Sequence, residues 1–519
     1  MGGWVCQVCL VPNDEGDISC CCCTAPKPVA DETGKQASTE VIHSNEKEAL
    51  ENDGVAETDG KSNVDTRVRV KYRLKDLKSV SVFVTGTSEI DQLPKSICDK
   101  EKSSDGSTLE SLFECSYPTP IVEGFKGTVA SVACGALHTA VVTRSGDVYT
   151  FGCNDMGALG RSPKDANKSG MMDCNPCIVR LRQVITKVSC GDNHTLFLGS
   201  NGSVLFTGAF RDTSGEIGIP DFNDNDELTN AKYLKTPVHL PLMESNSRVI
   251  KDICSGENHC LLLPQGGRGV YAFGSNEFGQ MMLPPEYKPN VFTKNEYKHN
   301  EKMEKLALTY PQFLSVADLH IDSHQPSNPG KRRKYGDQYI NRIFTGCCTT
   351  FIETGIGRRI YGSGRNAQGE LGCGGDDLFV TKVTEIRGLR GLNINNIVGG
   401  QFFTVAHTSG GNLYTWGNNC YTGHGSDDDY AKQTTPLKLE AFKSNVDKVF
   451  TGADATFVIT NRGNIYAWGS AQNYILGNGK DYNFQKVPAK IPKEHFRGFN
   501  VVDGMGGAQH TAFLCRKAR

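Results

Sequence analysis

Four cysteines near the N-terminus have the spacing of a structural zinc site. They form two Cys-x2-Cys pairs, Cys6 with Cys9 and Cys20 with Cys23. Thiolates in two such pairs bind Zn²⁺ tetrahedrally, and a segment this short has no core and folds only around its metal. Cys21 and Cys22 are surplus, so a shift in the choice of ligands stays open, as does an unligated cysteine cluster. The sequence predicts zinc as cofactor.

The composition of the whole chain limits the classes of protein to which it can belong. The chain has 519 residues with a formal net charge of −2, so contact with DNA would have to come from local basic patches. No apolar run is long enough to span a bilayer, and the first residues lack the features of a signal peptide. We therefore expect a protein of a reducing compartment. Glycine is abundant, with 57 residues, and favours many short strands joined by tight turns.

Three regions differ in composition. Residues 1–28 form the predicted zinc finger, residues 29–78 a flexible acidic linker with a basic end, and residues 79–519 a glycine-rich body. The linker has too few large apolar residues to offset its chain entropy. Its basic end, Arg67 to Lys78, alternates basic and apolar residues, which fits either a solvated edge strand or a localisation or DNA-contact segment.

The body repeats one short pattern, Gly-x-x-His or aromatic-Thr. Seven glycines begin it: Gly135, Gly191, Gly256, Gly346, Gly400, Gly452 and Gly507. Each of the first six is followed by β-prone residues, a turn and a second unit closed by glycine, as in SGDVYTFGCNDMGALG. Most spacings suit one four-stranded propeller blade per repeat.

The two ends of the body complement each other. The seventh unit, GGAQHTAFLC, lacks its second half, whereas Val80 to Leu93 reads as a second half without a first. If the two pair, one blade is split between both ends and no open edge is left. We therefore predict an all-β, seven-bladed β-propeller closed by its N- and C-terminal segments, rather than an open solenoid.

Four histidines occupy the same position of the repeat: His138, His194, His259 and His510. A feature repeated in several blades is more typical of structure than of a metal or catalytic site, although the types of residue permit both. The chain shows no phosphate-binding loop ending in Gly-Lys-Ser/Thr and no catalytic dyad. We expect no covalent chemistry.

The segments GCNDMGALGR, SCGDNHT, GAFRDTSGEIG and GGAQHT resemble the regulator of chromosome condensation family, whose members exchange guanine nucleotides on the small GTPase Ran. The resemblance implies a β-wedge that pushes against the phosphate-binding region of Ran. The matching segment begins at Ala209, and its predicted contact residues are Phe210, Arg211, Asp212, Thr213, Ser214, Gly215 and Glu216. Further Ran-contacting positions implied by the resemblance are Asp192, Glu257, Asn258, Glu89 and His510. For Asp192, a turn-capping role is the alternative.

Three departures from the family pattern involve five residues. The acidic side chain is shifted by one residue at Glu257 and Asn258, Leu283 stands where the family has arginine, and Phe402 and Phe403 replace histidines. These departures predict slower exchange or repacked contacts. The rival function is a propeller scaffold that docks proteins without exchange, and a cysteine-based ubiquitin ligase would need a further catalytic domain.

The finger carries a second resemblance. Trp4, the two cysteine pairs and Asn13 match the zinc finger of Ran-binding nucleoporins, with Leu10 and Val11 after the second cysteine. The resemblance implies that Leu10, Val11 and Asn13 bind Ran in its GDP form. A tether would then deliver captured Ran to the propeller.

A basic run lies in an insertion between the third and fourth repeats, at Lys331, Arg332, Arg333 and Lys334. Family members bind nucleosomes through propeller loops and a basic N-terminal tail, which makes this run a candidate for chromatin contact. A nuclear-import sequence or a solvated loop accounts for the run as well. The resemblance places the protein in the nucleus, associated with chromatin.

Overall fold

The structure is a computed structural model. It describes residues 78–89, 92–94, 97, 114–161, 173–222, 228–242, 249–283, 308–321, 339–355 and 357–518, together with the backbone of a few short strands. The chain divides into two units, Met1–Arg67 and Val68–Arg519. The second unit contains the repeats.

Six four-stranded antiparallel sheets follow one another along the second unit, and we number them as blades in chain order. Blade 1 contains Val129–Cys134, His138–Thr143, Val148–Gly152 and Cys177–Val179. Blade 2 contains Ile185–Cys190, His194–Gly199, Val204–Gly208 and Leu234–His239. Blade 3 contains Ile250–Ser255, His259–Pro264, Gly269–Gly274 and Gln312–Ser315.

The next three blades have the same order. Blade 4 contains Ile340–Thr345, Thr349–Thr354, Ile360–Arg365 and Phe379–Glu385. Blade 5 contains Ile394–Gly399, Phe403–Thr408, Leu413–Asn418 and Lys432–Leu439. Blade 6 contains Val446–Thr451, Ala455–Thr460, Ile465–Ser470 and Phe484–Ile491. In each blade the first strand lines the centre and the fourth lies outermost.

Blade 7 is built from both ends of the repeat region. Its strands, from the centre outwards, are Phe499–Gly506, His510–Lys517, Val80–Thr87 and Glu114–Pro120. The second and third strands pair antiparallel, with Phe513 opposite Phe83. The all-β, seven-bladed propeller and its split blade are confirmed.

Shorter elements complete the described chain. Two hairpins lie in blade 2, Arg211–Asp212 with Gly215–Glu216 and Ile219–Phe222 with Leu228–Ala231. The 3-10 helices are Arg387–Leu389, Glu440–Phe442, Gln472–Tyr474 and Lys493–Phe496. The remaining strands are Trp4–Val5, which pairs with Pro12–Asn13, and Arg67–Val68, Lys100–Lys102 and Thr108–Leu109. No described helix has the length and apolar character needed to cross a membrane.

The third strand of a blade ends with a glycine because the turn that follows the first strand lies directly against it, as blade 2 shows. Gly208 ends the third strand of blade 2 with φ +100°, and a Cβ atom on it would lie 2.1 Å from the Asn193 carbonyl oxygen. Only glycine adopts this conformation without strain and leaves room for the neighbouring turn. The repeated glycine therefore holds the third strand against the turn that follows the first.

The repeated histidines link adjacent blades and form what we call the histidine belt. All four side chains are buried, and each Nε2 lies against a hydroxyl or thiol of the next blade. The pairs are His510 with Thr139 at 2.8 Å, His138 with Thr195 at 2.9 Å, His194 with Cys260 at 3.0 Å, and His259 with Thr350 at 2.9 Å. The Thr195 hydroxyl donates to the Ala158 carbonyl, so the His138 Nε2 hydrogen must be the donor between blades.

The hydrogen bonds of the histidine belt do not continue through the blades that lack the histidine. Blade 5 has Phe403 at this position, and in blade 6 the buried hydroxyl of Thr456 has no hydrogen-bond partner among the described residues. Phe403 instead stacks on Tyr421, with 5.5 Å between ring centroids and 6° between the ring planes. Packing therefore replaces hydrogen bonding on this side of the ring.

Candidate functional site

One face of the propeller carries the turns that follow the first strands and the long connections that follow the third strands. We call it the hairpin face, because the hairpin Arg211–Asp212 with Gly215–Glu216 lies on it. Two hydrogen bonds attach the base of this hairpin to the turns between the first and second strands of blades 2 and 3. The Ala209 N–H donates to the Asn193 carbonyl, and the Arg211 N–H donates to Oδ1 of Asn258 at 2.9 Å.

Phe210 anchors the base of the hairpin. Its side chain is completely buried, with ring centroids 4.8 Å from His194, 5.2 Å from Phe206 and 5.6 Å from Phe273. The ring is thus packed between blades 2 and 3, and contact of Phe210 with Ran stays a prediction. The packed ring fixes the position from which the hairpin leaves the propeller.

The rest of the predicted wedge is accessible. Arg211, Thr213 and Ser214 are exposed, and Asp212, Gly215 and Glu216 are half-buried. Within the turn, the Ser214 N–H donates to Oδ1 of Asp212 at 2.8 Å, and Glu216 forms an ion pair with Lys232 at 3.2 Å. The structure thus presents a short, internally bonded projection with one exposed arginine.

Beside the hairpin, backbone bonds run from blade to blade around a central channel. The Asp192 N–H donates to the Glu257 carbonyl at 2.9 Å, and the Glu257 N–H donates to the Cys347 carbonyl at 2.8 Å. The channel has a volume of about 380 Å³ and is lined by the first strands of all seven blades. Asp192 and Glu257, both predicted from the sequence, lie at its mouth on the hairpin face.

The centre of this face holds a cluster of charges. Arg365 is buried and pairs with Glu370, 2.8 Å from Nε to Oε1, while its guanidinium lies over the rings of Phe402 and Phe278, 5.2 and 5.8 Å from their centroids. Burial, and next the charge of Glu257, raise the pKa of Asp454 to about 6 against the opposing effect of Arg365. The centre of the face therefore combines acidic groups with the fixed guanidinium of Arg365.

The three departures from the family pattern have structural explanations. Asn258 supplies the carbonyl oxygen that binds the Arg211 amide, so the amide side chain helps to hold the hairpin. Leu283 is buried in the core shared by blades 3 and 4. Phe402 covers the Arg365 guanidinium and Phe403 stacks on Tyr421, so contacts here are repacked around aromatic rings.

Two further predicted contact residues have different locations. Glu89 is exposed in the connection after Val80–Thr87, in keeping with a surface role. His510 is completely buried and belongs to the histidine belt, and its contact with Ran stays a prediction. The thiols of Cys134, which is buried, and of Cys190, which is half-buried, are also structural, since desolvation raises the pKa of each to about 12 and leaves them protonated.

Several predicted sites lie outside the described residues. These are Cys6, Cys9, Cys20, Cys23, Leu10 and Val11 of the finger and the basic run Lys331, Arg332, Arg333 and Lys334. For Asn13 the described feature is the backbone, in the strand Pro12–Asn13 that pairs with Trp4–Val5. Within the described part of the chain, no group of three His, Cys, Asp or Glu side chains is arranged to hold a metal ion. The zinc site stays a prediction.

Sequence reasoning missed three residues of the hairpin face. Glu277 binds the hairpin tip, Arg365 supplies the fixed cation, and Asp454 has the raised pKa. Each lies near the repeat glycines but at a position that varies from blade to blade. A comparison of the same position across all repeats, rather than of the repeated residues alone, would have singled them out.

The fold and this face define a seven-bladed propeller built from sequence repeats, with a short hairpin projecting from one face. The chain belongs to the family of RCC1-like domains, whose model matches residues 81–513. It is 29% identical to the regulator of chromosome condensation of Xenopus laevis over 395 residues, covering 75% of this chain and 82% of that protein.

Two other similarities show how widely the fold is used. The ultraviolet-B receptor UVR8 of Arabidopsis thaliana is 27% identical over 367 residues, 69% of each chain. The crystal structure of Prp20p from Saccharomyces cerevisiae, described with its binding properties to Gsp1p and histones, superimposes with a TM-score of 0.65 at 20% identity and covers 85% of this chain and 92% of that one. The family thus contains proteins with different activities.

Proposed function

We propose that this protein is a guanine-nucleotide exchange factor for the small GTPase Ran. The observation that carries the proposal is the projecting hairpin, which is rooted by Phe210 and lies beside acidic groups at the channel mouth. Its residues match the wedge of the regulator of chromosome condensation family. The similarity to the Xenopus protein over most of both chains supports the same assignment.

The chemistry required is differential binding. An exchange factor accelerates nucleotide release when it binds the nucleotide-free GTPase more tightly than the nucleotide-bound form. Arg211 and the hairpin tip would displace the loop that holds the phosphates. Asp192 and Glu257 would engage the basic residues that the nucleotide leaves unpaired. A firmly held hairpin suits this task because little of its binding energy is lost on ordering.

The first test shortens the hairpin. Replacing residues 211–216 by a Gly-Ser turn while keeping Phe210 is expected to slow release of labelled GDP from Ran about 100-fold, which corresponds to roughly 2.7 kcal/mol of barrier. The core at the base of the hairpin remains, so the circular dichroism spectrum and melting temperature should stay close to those of the wild type.

Arg268→Ala is the matched control, because it removes an exposed arginine from a turn between the second and third strands, on the opposite face. It should leave the release rate unchanged. A shortened hairpin that still releases GDP at the wild-type rate would contradict exchange by this hairpin.

We further propose that the finger binds zinc through Cys6, Cys9, Cys20 and Cys23 and captures Ran in its GDP form through Leu10, Val11 and Asn13. The double change Leu10→Ala and Val11→Ala should then lower exchange at low Ran concentration about tenfold, because the tether no longer raises the local concentration of Ran. At saturating Ran the rate should be normal, which is the internal control. An unchanged rate at low Ran concentration would rule the capture role out.

Chromatin association in the nucleus is the remaining part of the proposal. The yeast protein Prp20p is described as binding histones as well as Gsp1p, which supports a chromatin partner for a member of this fold. Nucleosomal DNA would bind through local basic segments such as Lys331 to Lys334 and Arg67 to Lys78, since the net charge of −2 supplies no general attraction.

The second candidate is a propeller scaffold without exchange activity. The similarity to the ultraviolet-B receptor favours this second candidate, because that protein is similar in sequence and is named as a receptor rather than as an exchange factor. A scaffold would bind Ran or another protein equally well with and without nucleotide. The GDP-release assay therefore separates the two functions.

A further inference from the structure

A carboxylate from blade 3 holds the tip of the hairpin. Glu277 follows the third strand of that blade, and its Oε1 and Oε2 atoms each lie 3.1 Å from the backbone nitrogen of Thr213. The Thr213 hydroxyl also donates to Oε1. Both donors of Thr213, at the turn, therefore converge on the carboxyl group of Glu277 and connect the tip of the hairpin to blade 3.

This contact differs in place from the others that fix the hairpin. Phe210 and the bond from the Arg211 amide to Asn258 lie at its base, and the bond from Ser214 to Asp212 closes the turn on itself. Glu277 connects the tip with a different blade. A two-stranded hairpin this short is marginally stable alone, so its conformation depends on such external contacts.

We propose that Glu277 is a positioning residue for nucleotide release. It holds Thr213, and through it Arg211 two residues earlier, in the conformation that meets the GTPase, so that the hairpin is ordered before binding. This inference rests on the proposed exchange function. Glu277 acts through the hairpin and has no part in the transfer of any group.

The test compares Glu277→Ala with Glu277→Gln in single-turnover and steady-state release of labelled GDP from Ran. Alanine removes both acceptors, and we expect kcat to fall about tenfold while KM stays within about twofold. The glutamine variant keeps one carbonyl oxygen for the Thr213 amide and should restore most of the rate. A residue with a purely structural role in the propeller would not give this split between kcat and KM.

Asp155→Ala is the matched control. Asp155 is the third residue after Gly152 in blade 1, as Glu277 is the third after Gly274 in blade 3, and it is exposed on the same face. The change removes the same charge without touching the hairpin, so kcat should remain near that of the wild type. An equal loss of kcat in both variants would assign the effect to charge alone and overturn the positioning role.

Hydrogen exchange of the free protein provides a readout without Ran. The amides of residues 211–216 should exchange faster in Glu277→Ala than in the wild type or Asp155→Ala, and unchanged protection would overturn the inference. If the wild type fails to release GDP from Ran, the proposed function falls and the role in release falls with it. If the wild type releases GDP and Glu277→Ala does so equally well, the role of Glu277 alone is overturned.

Discussion

Phe210→Ala is expected to lower the free energy of unfolding by about 3–5 kcal/mol. The ring is fully buried and packs on His194, Phe206 and Phe273, so its removal leaves a cavity between blades 2 and 3. Urea unfolding followed by tryptophan fluorescence measures the change, since Trp416 and Trp468 are both completely buried.

The neighbouring Arg211 provides the control for this prediction. Its side chain is exposed, and Arg211→Ala should change the stability by no more than about 0.5 kcal/mol. The two variants thus separate the root of the hairpin, which serves folding, from its surface. Equal stability of Phe210→Ala and the wild type would show that the ring is not packed as described.

Acid is expected to unfold the propeller through its histidine belt. Burial lowers the pKa of His138 and His259 to about 3 and that of His510 to about 4, and it also lowers the pKa of His194. Their unfolded values are near 6.5, so between about pH 6.5 and 4 the unfolded chain binds protons that the folded chain does not. The free energy of unfolding is therefore unaffected by these histidines above about pH 6.5, and it decreases as the pH falls through this window.

The steepness can be estimated by counting protons. Each histidine of the belt contributes about 1.4 kcal/mol per pH unit in the middle of the window. His407 and His424, whose pKa burial also lowers, act in the same direction, whereas Asp454, whose pKa is raised to about 6, opposes them with one proton. Urea unfolding at several pH values between 7 and 5 measures the slope. His138→Phe introduces the side chain that blade 5 has at Phe403. It should lower the slope of stability against pH by the contribution of one histidine, about 1.4 kcal/mol per pH unit. Stability that does not change from pH 7 to pH 5 would contradict the role of the belt.

The sequence predicts the architecture because each blade of the fold corresponds to one repeat of the sequence. Seven glycine-led units fix the number of blades, and the unmatched halves at Val80 and Gly507 predict the closure that the sheet of blade 7 confirms. These inferences need the positions of turns and strands alone. They do not depend on the direction in which any one side chain points.

The candidate site is less predictable because it consists of contacts between side chains from different repeats. Phe210 follows Gly208 by two residues, and whether its ring turns inward depends on the cavity left by His194 and Phe273 from two different blades. The partnership of Glu277 with Thr213 likewise joins residues that lie 64 positions apart. Contacts of this kind follow from the angle between blades, which local patterns do not contain.

The split blade also has a consequence for synthesis of the chain. All eight residues of Val80–Thr87 are buried, and the strand pairs with His510–Lys517. The ribosome must therefore add more than 400 residues after Val80–Thr87 before its partner strand exists. At 5–20 residues per second this takes roughly 20 to 80 s, during which an apolar strand has one unpaired edge. A strand in that condition is a natural substrate for a chaperone and a starting point for aggregation. The blade that closes the ring in the finished protein is thus most vulnerable while the chain is being made.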